Sequence, residues 1–104
     1  MPLSVDHLPR AHDDLLEIWL YIAEHNEPAA DRTLQKIAGV TKMLSEQPKA
    51  GRSRPELGVP NLRSYAVGNH ILFYVPSAEA ITVVRVLEGH RDVQAVFDTD
   101  DLRN

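Results

Sequence analysis

A chain of 104 residues with 43% hydrophobic content has room for one domain and one modest core, which excludes a separate cofactor-binding unit and argues against disorder. With 11 Lys and Arg against 15 Asp and Glu, the net charge of -4 disfavours nonspecific attraction to nucleic acid, so any such contact needs a local basic patch. The absence of cysteine removes disulfides, thiolate zinc sites and cysteine nucleophiles together, and fits a reducing cytoplasm.

In Leu3-Ser4-Val5-Asp6-His7-Leu8, Val5 and Leu8 stand among polar neighbours, which predicts a short edge strand. Asp6 lies where a secretory signal needs basic and then apolar residues, and the longest apolar run is too short to span a bilayer. A cytoplasmic protein with no membrane partner is expected. Pro9 has the fixed dihedral suited to a first helical turn, and a helix over residues 9–25 follows. Its stripe of Ala11, Leu15, Ile18 and Ile22 steps by four, three and four, as one buried face requires, with Trp19 beside it at the core or its edge. Asp13, Asp14 and Glu17 sit toward its amino-terminal side, where the helix dipole favours negative charge.

Asn26, a good cap, and Pro28 then start a second helix, so the two fold back as an antiparallel hairpin. Ala30, Leu34, Ile37, Val40 and Leu44 form the buried side of this helix. Gly39 inside it costs roughly 1 kcal/mol relative to alanine, which close packing against a neighbour would explain. Pro48 ends the helix and opens a basic loop, residues 48–60, with Lys49, Arg52 and Arg54. The period then becomes alternating. A strand over residues 62–67, a tight turn at Gly68-Asn69, an apolar strand over 71–75, a turn at Pro76-Ser77-Ala78-Glu79 and a strand over 81–87 make a meander.

The fold class predicted is α+β: an N-terminal strand and an antiparallel two-helix hairpin packed on a three- to four-stranded, mainly antiparallel sheet. Residues 1–104 form a single domain, ending in an acidic tail, about residues 97–104, where Asp98, Asp100 and Asp101 suggest a frayed end. The five histidines lack the spacing of a metal pair on one helix, so no metal and no cofactor are expected. Chemistry concentrates instead in Arg85-Val86-Leu87-Glu88-Gly89-His90-Arg91-Asp92, where an apolar strand runs out. Alternation puts Val84 and Val86 in the core and turns Arg85 outward.

Several motifs in order resemble the ParE/RelE toxin superfamily of bacterial type II toxin-antitoxin pairs. They are Ala11-x-x-Asp14-Leu15-x-x-Ile18-Trp19-x-Tyr21-Ile22-Ala23, Pro48-x-x-Gly51-Arg52-x-Arg54-x-Glu56-Leu57, Leu62-Arg63-Ser64, Val67-Gly68-Asn69-His70 and Arg85-Val86-Leu87 with Gly89-x-Arg91-Asp92. The resemblance runs from about Pro9 to Asp92 and is similar above all to the ParE branch. It implies the fold just described, a ParD-like antitoxin that wraps the toxin, and DNA gyrase as a target trapped by protein binding. The other branch consists of endoribonucleases that cut messenger RNA in the ribosomal A site.

Cutting RNA without a metal needs a base for the 2′-hydroxyl, cations for the phosphorane and an acid for the leaving oxygen. On paper Glu56 or His70 is the base, Arg63, Arg85 and Arg91 the cations, and His90 or Tyr74 the acid. Several ribonucleases that resemble the chain near His70 carry an arginine where Ile71 stands, and the common ParE pattern has histidine where Glu88 stands. The reading taken is therefore a binding toxin, with Arg52, Arg54, Arg63, Arg85, His90, Arg91 and Asp92 facing antitoxin or target and operator DNA met only through the antitoxin. The alternatives are a ribosome-dependent endoribonuclease using Arg63, Arg85, His90 and Glu56, and a non-toxic relative acting with its antitoxin in autoregulation.

Overall fold

The structure, a computed structural model, describes residues 2–89 and 91–99. Strand β1 (Ser4–His7) leads into helix α1 (Pro9–Ala23) and then α2 (Glu27–Glu46), followed by β2 (Arg52–Ser53), a 3-10 turn (Pro55–Leu57), β3 (Arg63–Val67), β4 (His70–Pro76), β5 (Ala80–Glu88) and α3 (Val93–Thr99). The helical boundaries follow the local chemistry. Pro9 opens α1, and the Asn26 side chain accepts the Ala29 N–H at 3.0 Å to cap α2.

The strands form one sheet in the order β1-β5-β4-β3-β2, in which β1 runs parallel to β5 and the other neighbours are antiparallel. This is the α+β arrangement expected, with a fifth strand. The addition is β2, two residues of the basic loop that pair with Arg63 and Ser64. Too short to show alternation, it left no periodic signal.

Both sheet faces are covered. On one, Leu72, Tyr74, Val83 and Val86 pack with Ala11, Ile37 and Leu44 of the hairpin. On the other, Phe73, Val84 and Leu87 meet Leu57, Leu62 and Phe97. Phe97 corrects the reading of the tail: residues 93–99 are helical, and the Phe97 ring packs edge-on against Phe73 with centroids 4.9 Å apart. One apolar anchor outweighs the acidic composition around it. Asp100 and Asp101, expected to fray, lie outside the described residues.

Gly39 also departs from expectation. A Cβ built there meets nothing within 4 Å, so close packing does not explain it. Gly39→Ala is therefore expected to stabilise the fold by about 1 kcal/mol through helix propensity alone, read as a rise in the urea midpoint.

Candidate functional site

A cleft of about 890 Å³ opens between the outer turns of α1 and the far end of the meander. Glu17, Ile18, Tyr21 and Ile22 form its helical wall, Gly68, Asn69 and His70 come from the β3–β4 turn, and Glu88, Gly89 and Arg91 from the end of β5 and beyond. Gly68 makes the turn with a positive φ of 58°. The Gly89 N–H donates to the Asn69 carbonyl at 2.8 Å and fastens the two sides of the sheet end together.

Asp14 lies at the base of this cleft, and its pairing with Arg85 behind it is the largest surprise of the site. The Arg85 Nε donates to Asp14 Oδ2 at 2.7 Å, its Nη2 donates to Oδ1 at 2.9 Å, and the Val86 N–H donates to Oδ2 at 2.9 Å. Both residues are buried, Arg85 at 3% and Asp14 at 6% exposure. This corrects two expectations. Asp14 lies beyond the first turn of α1, where it holds an arginine rather than a helix dipole. Arg85 does not turn outward, because Phe73 pairs with Arg85 while the next residue, Tyr74, pairs with Val83, leaving Val84 as an extra residue. The irregularity breaks alternation, so Val84 and Val86 enter opposite cores. β1 pairs only as far as Val83, and Asp14 supplies the acceptor that a strand would otherwise give the Val86 N–H.

The basic loop is built around Tyr74. Its hydroxyl donates to the Pro48 carbonyl at 2.7 Å and accepts the Gly51 N–H at 2.9 Å. Burial of this phenol raises its pKa, against the opposing pull of the Gly51 N–H. The Arg63 Nη1 donates to the Gly51 carbonyl at 2.7 Å and to the Lys49 carbonyl at 3.2 Å. The Arg54 Nε donates to Glu56 Oε2 at 2.8 Å, its Nη1 donates to Ser64 Oγ at 3.1 Å, and its guanidinium carbon stands 5.5 Å from the Phe73 ring centroid. The hydrogen bond from Arg54 is the main cause holding the Glu56 carboxyl below its usual range, which makes it a poor base at neutral pH.

The sequence-predicted residues thus separate. His70 and Arg91 line the cleft, whereas Glu56, Arg63, Arg85 and Tyr74 do not. Arg52 and Arg91 are exposed, and Asp92 accepts the Ala95 N–H at 3.1 Å, capping α3. His90 lies outside the described residues. Among the described residues no group of three or more His, Asp or Glu is placed to hold a metal ion, and no helix is long and apolar enough to cross a membrane. Trp19 is half-buried and belongs to neither core cluster, its Nε1 donating to Asp31 Oδ1 at 2.9 Å across the hairpin. Sequence reasoning missed the exposure of Leu16 and Leu20 on the same helix, although both lie off the buried stripe.

His70 stands opposite Glu88 in the ladder, and His7 stacks near His12 with ring centroids 5.0 Å apart. Burial is the main cause lowering both the His70 and His7 pKa values below the ordinary 6.5; Glu88 opposes it for His70, while His12 adds to it and Asp6 opposes it for His7. The unfolded chain therefore binds more protons as the pH falls past 6.5. The stability these rings contribute is complete above that pH and is lost as the pH falls toward their lowered folded values. The urea midpoint is expected to drop between about pH 7 and pH 5, and the double variant His7→Gln/His70→Gln to flatten that drop.

A family model described as "ParE toxin of type II toxin-antitoxin system, parDE" matches residues 5–93. Among solved structures, the chain is similar to one from a chromosomal ParDE toxin-antitoxin system of P. aeruginosa, with a TM-score of 0.67 and 21% identity over 83% of this chain and 95% of that one. A search of curated proteins returns no match.

Proposed function

Because this chain belongs to the ParE toxins of type II toxin-antitoxin systems, we propose that it acts in the cytoplasm by binding DNA gyrase and that a ParD-like antitoxin neutralises it. The observation that carries this reading is the family match across residues 5–93. The distribution of the polar groups supports binding over catalysis. Tyr74 spends its hydroxyl on the Pro48 carbonyl and the Gly51 N–H, Arg85 is held by Asp14, and Glu56 is held by Arg54. Among the described residues His70 and Arg91 are the ribonuclease candidates that meet in the cleft, and Glu56, Arg63, Arg85 and Tyr74 do not join them around one reacting phosphate.

The surface offered to partners consists of the cleft, the exposed Arg52 and Arg91, and the outer side of α1. Arg54, Arg63 and Asp92 meet partners with whatever capacity their internal bonds leave, and Arg85 acts through the shape of the strand it anchors.

Induced expression in a bacterial host tests the reading. Gyrase-linked double-strand breaks with intact transcripts are expected, and a gyrase variant that escapes the block should restore growth. Cleaved transcripts on translating ribosomes, without gyrase-linked breaks, would favour the endoribonuclease reading instead. Growth undisturbed by soluble protein would favour a non-toxic partner in autoregulation.

A further inference from the structure

The junction between the first strand and the first helix brings two histidines together. His7 is the last residue of β1 and half-buried, His12 lies in the first turn of α1 and is exposed, and their ring centroids stand 5.0 Å apart with the planes inclined by 33°. Spacing along a single helix cannot detect such a pair, because its members belong to different elements. The backbone between them is fixed. His7 pairs with Val83 in the sheet, the Leu8 N–H donates to the Val83 carbonyl at 2.9 Å, and the Leu8 carbonyl accepts the Ala11 N–H at 2.9 Å and the His12 N–H at 3.2 Å. Neither imidazole hydrogen-bonds to another described residue, which leaves both rings' nitrogens without a protein partner among those residues.

Two imidazolium ions at this distance would repel each other, which favours the neutral pair, and neutral imidazole is the form that ligates metals. An ion about 2.1 Å from an imidazole nitrogen lies about 3.2 Å from the ring centroid, so two imidazoles on a tetrahedral ion have centroids about 5.2 Å apart. The observed 5.0 Å meets that requirement with small side-chain rotations on a backbone already in place. The charges nearby offset one another: exposed Asp6 and Asp13 flank the pair, against exposed Arg10 in the same helical turn and exposed Lys42, which lines a cavity of about 460 Å³ together with His7. Without surplus carboxylate the place does not suit calcium or magnesium, which take oxygen donors, and the imidazoles select zinc, nickel or copper(II).

We propose that His7 and His12 form a two-histidine site for a divalent transition-metal ion such as zinc, with water completing the coordination. The ion clamps β1 onto the start of α1. Because β1 is an edge strand bonded to β5 alone, such a clamp fastens the least supported side of the sheet to the helix that walls the cleft. The site is independent of the gyrase and antitoxin readings.

The test uses the full chain prepared without a histidine tag and stripped with EDTA. Zinc sulfate titrated by calorimetry is expected to fill one site per chain. Melting temperature should rise by roughly 5 °C or more once free zinc exceeds its dissociation constant a hundredfold, return on adding EDTA, and not respond to magnesium sulfate. His12→Gln, an exposed change whose metal-free melting temperature verifies the fold, should abolish both effects, whereas His25→Gln, at an exposed histidine outside the pair, should keep them. A parent chain that takes up no zinc, or that zinc destabilises, would overturn the proposal. Uptake and stabilisation undiminished in His12→Gln would also overturn it and make zinc an adventitious ion only.

Discussion

Asp14→Ala is expected to destabilise the protein by about 3–5 kcal/mol, the range found when one member of a buried ion pair is removed. Three bonds end on that carboxylate, from Arg85 Nε, Arg85 Nη2 and the Val86 N–H. Removing it takes the Asp14 carboxylate from a guanidinium at a site only 3% exposed, and takes the acceptor from a strand-edge amide. Asp14→Asn keeps the volume and one acceptor but not the charge, so its loss should be smaller. Asp14→Leu/Arg85→Met removes both charges at once and should recover much of the stability, because two well-packed apolar side chains escape the desolvation cost of the ions. Urea denaturation of the four proteins checks this order. Adding Arg85→Ala to the series assigns a cause to any loss of toxicity: an Arg85→Ala protein that keeps its melting temperature yet no longer arrests growth would place Arg85 in a partner contact, against the burial seen here.

The sequence showed the hairpin and the meander because their signals are periodic and long. Ala11, Leu15, Ile18 and Ile22 repeat at helical spacing, residues 71–75 are continuously apolar, and Asn26 caps the helix it precedes. What it did not show depends on one-residue events or on contacts distant in sequence. The irregularity opposite Phe73 and Tyr74 shifts the sides on which Val84, Arg85 and Val86 project, and alternation counted along the strand cannot detect it. Asp14 and Arg85 are 71 positions apart, so their pairing has no local signature, although an acid at the third position after Ala11 on a buried stripe already asks for a partner. The loop arginines were legible as charge but not as structure: Arg63 is spent on two carbonyls, Arg54 on Glu56 and Ser64. The exposed face of α1 went unread although the buried stripe leaves those residues out, and the folded chain shows Leu16, Leu20 and Tyr21 more than half exposed.

Gly51→Ala is expected to cost about 2–4 kcal/mol, combining overpacking with the loss of a buried hydrogen bond. A Cβ at this position would lie 2.5 Å from Tyr74 Oη, 2.7 Å from its Cε1 and 2.8 Å from the Ser64 carbonyl oxygen. Neither neighbour yields easily. Ser64 is held in β3 by its pairing with Arg52 and Phe73, and the fully buried Tyr74 cannot swing away without giving up its bonds to Pro48 and Gly51. The chain at Gly51 must therefore lift, which also draws the Gly51 carbonyl from Arg63 and loosens the segment that presents Lys49 and Arg52. Tyr74→Phe alone should cost about 1–3 kcal/mol, because the Gly51 N–H loses its acceptor in a buried setting. In Gly51→Ala/Tyr74→Phe the hydroxyl that makes the shortest clash is gone, so the combined loss should be smaller than the sum of the single losses. That shortfall, measured by a denaturation double-mutant cycle, is the signature of direct contact. Strict additivity would mean that the alanine is accommodated by a movement that never involves the Tyr74 hydroxyl, and the loop would then owe its position to Arg63 and the β2–β3 pairing rather than to the phenol beneath it.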